Sequence, residues 1–180
     1  MKKIVAFLLI TAFSFSFSSC EKDDICDANT PTTPRLVIEF YDFNNPTVLK
    51  NVTDLKVIGE GMTEGIIFNT ATDDEKYLTS GTSISIPLKT DADATTYSFI
   101  LNSGNANPAL IDTDKITFNY TRKDVFISRA CGFKIVFDFA ETNKIVQTPV
   151  PATKPKWMQN IQVQKNNIDN ENETHIKVFF

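Results

Sequence analysis

The sequence predicts an all-β protein: an antiparallel β-sandwich, immunoglobulin-like or transthyretin-like, of eight to ten strands with little helix. Three observations predict it. From Arg35 onward apolar residues recur with a period of two, the pattern of strands that have one buried and one wet face. Clusters of Asp, Asn, Gly and Lys punctuate these runs as turn signals. Long 3.6-residue periodicity is missing after Cys20, so two packed sheets are the layers left to bury the apolar faces.

Residues 1–19 stand apart from that domain. Met1-Lys2-Lys3, an apolar and hydroxyl stretch from Ile4 to Phe17, and Ser18-Ser19 before Cys20 follow the layout of a signal peptide. The apolar core is shorter than the roughly 20 residues of a spanning helix. Phe13, Phe15 and Phe17 alternate with serine and give a helix no polar face, which argues against a buried N-terminal helix. Phe17-Ser18-Ser19-Cys20 resembles the lipobox cleaved by lipoprotein signal peptidase, with Phe17 where an aliphatic residue is preferred. That resemblance implies lipidation of Cys20, with ordinary signal peptidase cleavage as the alternative. Several acyl chains on one residue would hold the protein firmly, at about 0.8 kcal/mol per buried methylene.

Glu21-Lys22-Asp23-Asp24 resembles the surface-export signal of Bacteroidota lipoproteins, which assigns that role to Lys22, Asp23 and Asp24. An acidic solvated tether is the plain alternative. The expected location is the outer membrane, lipid-anchored and facing outward, or else facing the periplasm. Residues 20–34 read as the lipidated tether, acidic first and then extended by Pro31 and Pro34. Residues 35–180 read as a single β-sandwich domain.

Within it, Leu36, Ile38 and Phe40 alternate with Val37, Glu39 and Tyr41, and Ile84 and Ile86 alternate with serines. Pro87 marks an edge strand or a strand end. Tyr97, Phe99 and Leu101 share a face. Ile116, Phe118 and Tyr120 oppose Lys115, Thr117, Asn119 and Thr121. Phe133, Ile135, Phe137 and Phe139 oppose Lys134, Val136 and Asp138. Ile161 and Val163 alternate with Gln162 and Gln164, and Ile176, Val178 and Phe180 with His175 and Lys177. Turns are expected at 73–75, 102–105, 121–124 and 166–172. Gly132 is a candidate bulge or bend. The Pro-rich stretch 148–155 reads as a rigid connection crossing between sheets.

Removing residues 1–19 takes away two of the 18 basic residues and none of the 22 acidic ones, moving the formal charge from −4 to −6. An acidic chain with scattered bases has no footprint for nucleic acid. With Cys20 on lipid, Cys26 and Cys131 form an even pair in an oxidising compartment, and a disulfide between them is expected.

Catalytic signatures are lacking. The single histidine, His175, falls on the polar face with Lys177 and is expected to be exposed, without a partner for base catalysis. No nucleophile elbow, zinc helix or phosphate loop occurs among only six glycines. No catalytic residue, cofactor or metal is assigned. The acidic loops Asp91-Ala92-Asp93, Asp112-Thr113-Asp114 and Asp169-Asn170-Glu171 lack the spacing and glycine of a calcium loop, and turns use such residues anyway. Trp157, Tyr41 and Tyr77 are the candidate sugar-stacking platform, although a lone Trp in a sandwich is more often core.

Cys26, the stretch Thr33-Pro34-Arg35-Leu36-Val37-Ile38-Glu39-Phe40-Tyr41-Asp42, the segment Ser128-Arg129-Ala130-Cys131-Gly132-Phe133 and the ending His175-Ile176-Lys177-Val178-Phe179-Phe180 resemble a family of small Bacteroidota lipoproteins of unknown function. The resemblance brings no activity and no catalytic residue. It implies a partner, since members are often encoded beside an outer-membrane barrel protein. The expected function is non-catalytic: a membrane-anchored protein-interaction or structural module. A surface module for glycans or small ligands is the alternative.

Overall fold

A computed structural model describes residues 25–180 and shows two β-sheets packed face to face around one core. The strands are β1 (Leu36–Tyr41), β2 (Leu55–Gly59), β3 (Leu78–Thr79), β4 (Ser83–Ile86), β5 (Ala94–Leu101), β6 (Asp112–Ser128), β7 (Gly132–Phe139), β8 (Ile145–Val150), β9 (Asn160–Val163), β10 (Asn167–Ile168) and β11 (Ile176–Phe179). Short 3₁₀ turns at Asp74–Tyr77 and Pro108–Leu110 are the helical elements among the described residues.

The smaller sheet has the order β4-β1-β11-β9. Its outer pairs are antiparallel, but β1 and β11 run parallel, with Ile38 opposite Ile176 and Phe40 opposite Val178. The fold is the antiparallel-rich β-sandwich expected from the sequence, with one parallel pair at this seam. Alternation reveals which residues share a face but not the direction of the neighbouring strand. Strand β4 ends directly before Pro87 at the sheet edge, where a residue without an N–H breaks no ladder.

The larger sheet runs β10-β7-β6-β5-β2-β3, with β8 also paired to β6. Its axis is β6, 17 residues long. Residues 112–119 pair with β5 on one edge, while β8 and then β7 line the other edge in succession. The gap between β7 and β8 is closed by Asn119, whose N–H donates to Lys144 O and whose carbonyl accepts from Ala140 N. Asn143 turns this short loop with φ +51°, a conformation that Asn tolerates better than most residues.

Two expected connections are strands instead. Thr121-Arg122-Lys123-Asp124 continues β6 and pairs with Asp138, Phe137, Val136 and Ile135. Its polarity reflects exposure beyond the end of β5, where Arg122 Nε donates to Asp93 at 2.8 Å and its NH1 to Thr90 O. The reversal comes later, at Arg129–Gly132, where Gly132 sits at φ +70°. A side chain is disfavoured in that conformation. Likewise Thr148, Pro149 and Val150 belong to β8, and only the residues after them cross to β9 in the other sheet. Pro149 is tolerated because β8 pairs with β6 alone.

The inward faces follow the alternation. Leu36, Ile38 and Phe40 meet Ile176 and Val178 from the small sheet, and Val57, Phe99, Ile116, Phe118, Phe137 and Phe139 from the large one. The inward phenols are satisfied: Tyr97 donates to Pro87 O and Tyr120 to Lys89 O, fastening the 87–90 link to the core. Burial pushes the Tyr97 phenol up to about 12.

Candidate functional site

The most distinctive surface lies at the far end of the β6–β7 hairpin. Phe126 and Phe133 are directly opposed in the ladder, and their rings make an edge-to-face pair with centroids 5.3 Å apart. They belong to the stripe that fills the core at Phe137 and Phe139, but here it has passed the end of the second sheet. The two rings are 58% and 66% exposed. Cys131 sits in the turn between the strands, its N–H donating to Ser128 Oγ at 3.0 Å.

Cys131 is joined to Cys26 by a disulfide spanning 105 residues of sequence, with the two Cα atoms 5.0 Å apart. Asp27 curls the following residues, accepting from Asn29 N on its side chain and from Thr30 N on its carbonyl. Further on, Thr33 Oγ1 accepts from Ile135 N at 3.0 Å. The segment thus lies along the outer edge of β7. The expectation of a tether through residue 34 is corrected here: from Cys26 onward the chain is docked on the domain, because the disulfide and the Thr33 contact fix its two ends. The expected lipidation site Cys20 and export signal Lys22, Asp23 and Asp24 lie outside the described residues.

The three candidate aromatics are not brought together. Trp157 packs against Phe40 and Phe180, with its Nε1–H donating to Phe99 O at 3.2 Å. Tyr77 is buried, and the Lys56 and Lys76 ammonium groups stand over its ring. Tyr41 is half-buried, its ring tilted against Phe179 and covered by Lys177, and it donates to Glu39 Oε2 at 2.8 Å. That bond to a carboxylate, with some desolvation, raises its pKa. The expectation of an open stacking platform is corrected: Trp157 spends its faces on the core, Tyr77 is buried beneath Lys56 and Lys76, and Tyr41 is covered by its neighbours.

His175 is also corrected, from exposed to fully buried. Its backbone pairs with β1, and its ring Nδ1 accepts from Val37 N at 3.0 Å. Desolvation lowers its pKa, against the pull of Glu173, Asp169 and Glu171. The neutral tautomer therefore carries its proton on Nε2, which has no partner. The residue sits at the strand's entry, where the period-two pattern does not distinguish a wet edge from a roofed one.

Asp114, on the inner face of β6, is the second buried polar group of note. Its Oδ2 accepts from Gln147 Nε2 and from Met158 N, both at 2.9 Å, while Oδ1 is unpartnered. Desolvation raises its pKa, partly offset by those donors. The carboxylate fastens the crossing segment after β8 to the sheet. Neither Asp114 nor His175 reaches solvent, so neither can meet a substrate. Of the other acidic-loop residues, Asp112 pairs with Lys154 at 3.1 Å and Asp93 with Arg122. Among the described residues no group of three or more metal-ligating side chains converges.

An open cleft of about 640 Å³ lies between the 69–80 loop and the 102–105 turn. Its Asn69 amide is committed to Glu75 O and Leu78 O, and Ser80 to Asp54. Asn69 thereby closes the 69–80 loop on itself, and Ser80 fastens it to Asp54.

A family of unknown function, DUF6452, matches residues 54–180. The chain belongs to that family. No curated protein and no solved structure matches it. The DUF6452 match takes in β2 to β11, and with them the hairpin, Cys131, Asp114, Trp157 and His175; β1 and Cys26 precede it.

Proposed function

We propose that the chain is a lipid-anchored outer-membrane protein, acylated at Cys20, that acts by protein contact and not by catalysis. The observation that carries the reading is the docking of Cys26–Thr33 on the hairpin. The segment leading back to Cys20 is secured by a covalent bridge and a hydrogen bond, as suits a domain held through its N-terminus. Among the described residues no helix is long and apolar enough to cross a membrane, so the attachment proposed is the lipid. The partner is proposed as an outer-membrane barrel protein. An edge suited to such contact exists along Thr121–Ser128, whose β5-side edge has no strand beside it among the described residues.

Two experiments test this. Incorporation of labelled palmitate into the wild type and its loss in Cys20→Ser would support the anchor, whereas label in neither would sink it. Protease shaving of intact cells, wild type beside a Lys22-Asp23-Asp24→Ala variant, reads the orientation. Digestion of the wild type with protection of the variant supports surface display. Protection of both, with digestion after permeabilisation, assigns the periplasm-facing orientation.

A further inference from the structure

We infer that the tip of the β6–β7 hairpin is a membrane-resting surface, with Phe126 and Phe133 entering the lipid interface beside the anchor. The inference rests on the proposed acylation of Cys20 and adds a second point of contact to it. Three observations converge on this end of the molecule. The first is the exposed aromatic pair, which continues the core stripe of β7 into solvent. Two directly opposed phenyl rings on a hairpin end form a compact apolar surface whose transfer into lipid is favourable.

The second is chain length. Five residues lie between Cys20 and Cys26, so the six steps from one to the other reach at most about 22 Å when fully extended. Phe133 lies two residues along the strand from Cys131, the disulfide partner of Cys26, roughly 7 Å further. With the 5.0 Å between the bridged Cα atoms included, an acylated Cys20 keeps the aromatic pair within about 35 Å of the bilayer surface, and the bridge prevents the hairpin from swinging away. Ile25, 83% exposed, lies on the same short path.

The third is the local charge. Within residues 123–134 the basic Lys123, Arg129 and Lys134 outnumber the acidic Asp124, so the end of the hairpin lacks the acidic excess of the chain as a whole and is not repelled by an anionic surface. The opposite end of β6 is on the order of 55 Å away at 17 residues. Leu110, beside that end and 52% exposed, lies outside the reach of the interface in this orientation.

The test uses the full lipidated chain in vesicles of phosphatidylethanolamine and phosphatidylglycerol containing lipids brominated on their acyl chains. Tryptophan is introduced in separate variants, Phe133→Trp, Phe126→Trp and Leu110→Trp. The wild type, whose sole Trp157 is buried, sets the baseline. The expected result is a blue shift and loss of most of the added emission for Phe133→Trp and Phe126→Trp, with Leu110→Trp unaffected. Absence of quenching at both hairpin positions, while the protein floats with the vesicles and mass spectrometry finds acyl chains on Cys20, overturns the inference and leaves the anchor standing. A blue shift without quenching, accompanied by a cross-linked dimer, overturns it in favour of a second copy covering the tip. A chain that carries no acyl mass on Cys20 overturns both readings.

Discussion

Val37 and His175 are joined twice: the His175 N–H donates to Val37 O at 3.1 Å, and the Val37 N–H donates to the imidazole Nδ1 at 3.0 Å. A side chain here takes the place of a carbonyl at the start of the parallel β1–β11 seam. The arrangement requires a neutral ring, since an imidazolium has no acceptor.

That requirement gives stability a pH dependence. Desolvation lowers the pKa of His175 in the folded state, so as pH falls through about 6.5 the unfolded chain takes up a proton that the folded chain refuses. The contribution is fully present above that pH and declines below it, with a slope of up to about 1.4 kcal/mol per pH unit. Glu173, Asp169 and Glu171 moderate the effect by favouring the cation. In His175→Asn, Oδ1 can accept from Val37 at the position of Nδ1 without titrating. Urea unfolding at several pH values between 7.5 and 5 should show a lower but flatter profile for the variant. Parallel profiles would sink the assignment.

Asp114 works in the opposite sense. Its folded pKa is raised by desolvation, so the penalty of the buried charge is lifted as pH falls through that raised value. The carboxylate is nevertheless needed as an acceptor for Met158 N and Gln147 Nε2. Asp114→Ala would strand the buried Met158 N–H and take from Gln147 Nε2 one of its two acceptors, at a cost of roughly 2–4 kcal/mol. Asp114→Asn keeps an acceptor oxygen and should cost markedly less. Urea midpoints at pH 7 compare the two directly, and equal losses would count against the hydrogen-bonding role.

The disulfide should matter both globally and locally. Replacing Cys26 and Cys131 by Ser frees a long loop in the unfolded chain and should reduce stability by about 2–5 kcal/mol. With the bridge gone, Thr33 alone holds the segment on β7, so the Ile135 amide should exchange faster than its neighbours in the β6–β7 ladder. Hydrogen exchange followed by NMR measures this. Unchanged protection at Ile135 would mean that the segment docks without covalent help.

Much of the sandwich was legible because its inward residues are apolar at strict alternate positions, as at Leu36-Ile38-Phe40 and Ile116-Phe118-Tyr120. What escaped depends on partners that alternation does not encode. Thr121–Asp124 carries turn chemistry, yet β7 supplies it with a ladder. His175 occupies a polar register, yet β1 and the 169–173 loop close over it. Asp114 interrupts an inward apolar row, and that break in pattern was the one local signal of a buried carboxylate. The Cys26–Cys131 pairing followed from counting cysteines, but its position at the hairpin end required the β6 strand to run unbroken to Ser128.

Trp157 offers the most direct readout of the packed state. Phe180 meets its ring edge-on at a centroid distance of 5.4 Å, and Lys50 lies over Phe180 while donating to its carbonyl at 2.8 Å. The indole is thus shielded by a side chain that Lys50 covers in turn and that the backbone bonds to Tyr41 and Phe43 hold in place. Phe180→Ala should open that cover, shifting Trp157 emission to the red and raising its quenching by acrylamide, with a stability loss of roughly 2–4 kcal/mol. Trp157→Phe forfeits the bond to Phe99 O and some volume, and should cost about 1–2 kcal/mol. Oligosaccharides added to the wild type should leave the emission unchanged, because the indole has no free face to stack on. A saturable shift with sugar would instead mean that Phe180 can swing aside, and would bring the glycan reading back through a site that is closed in the packed protein.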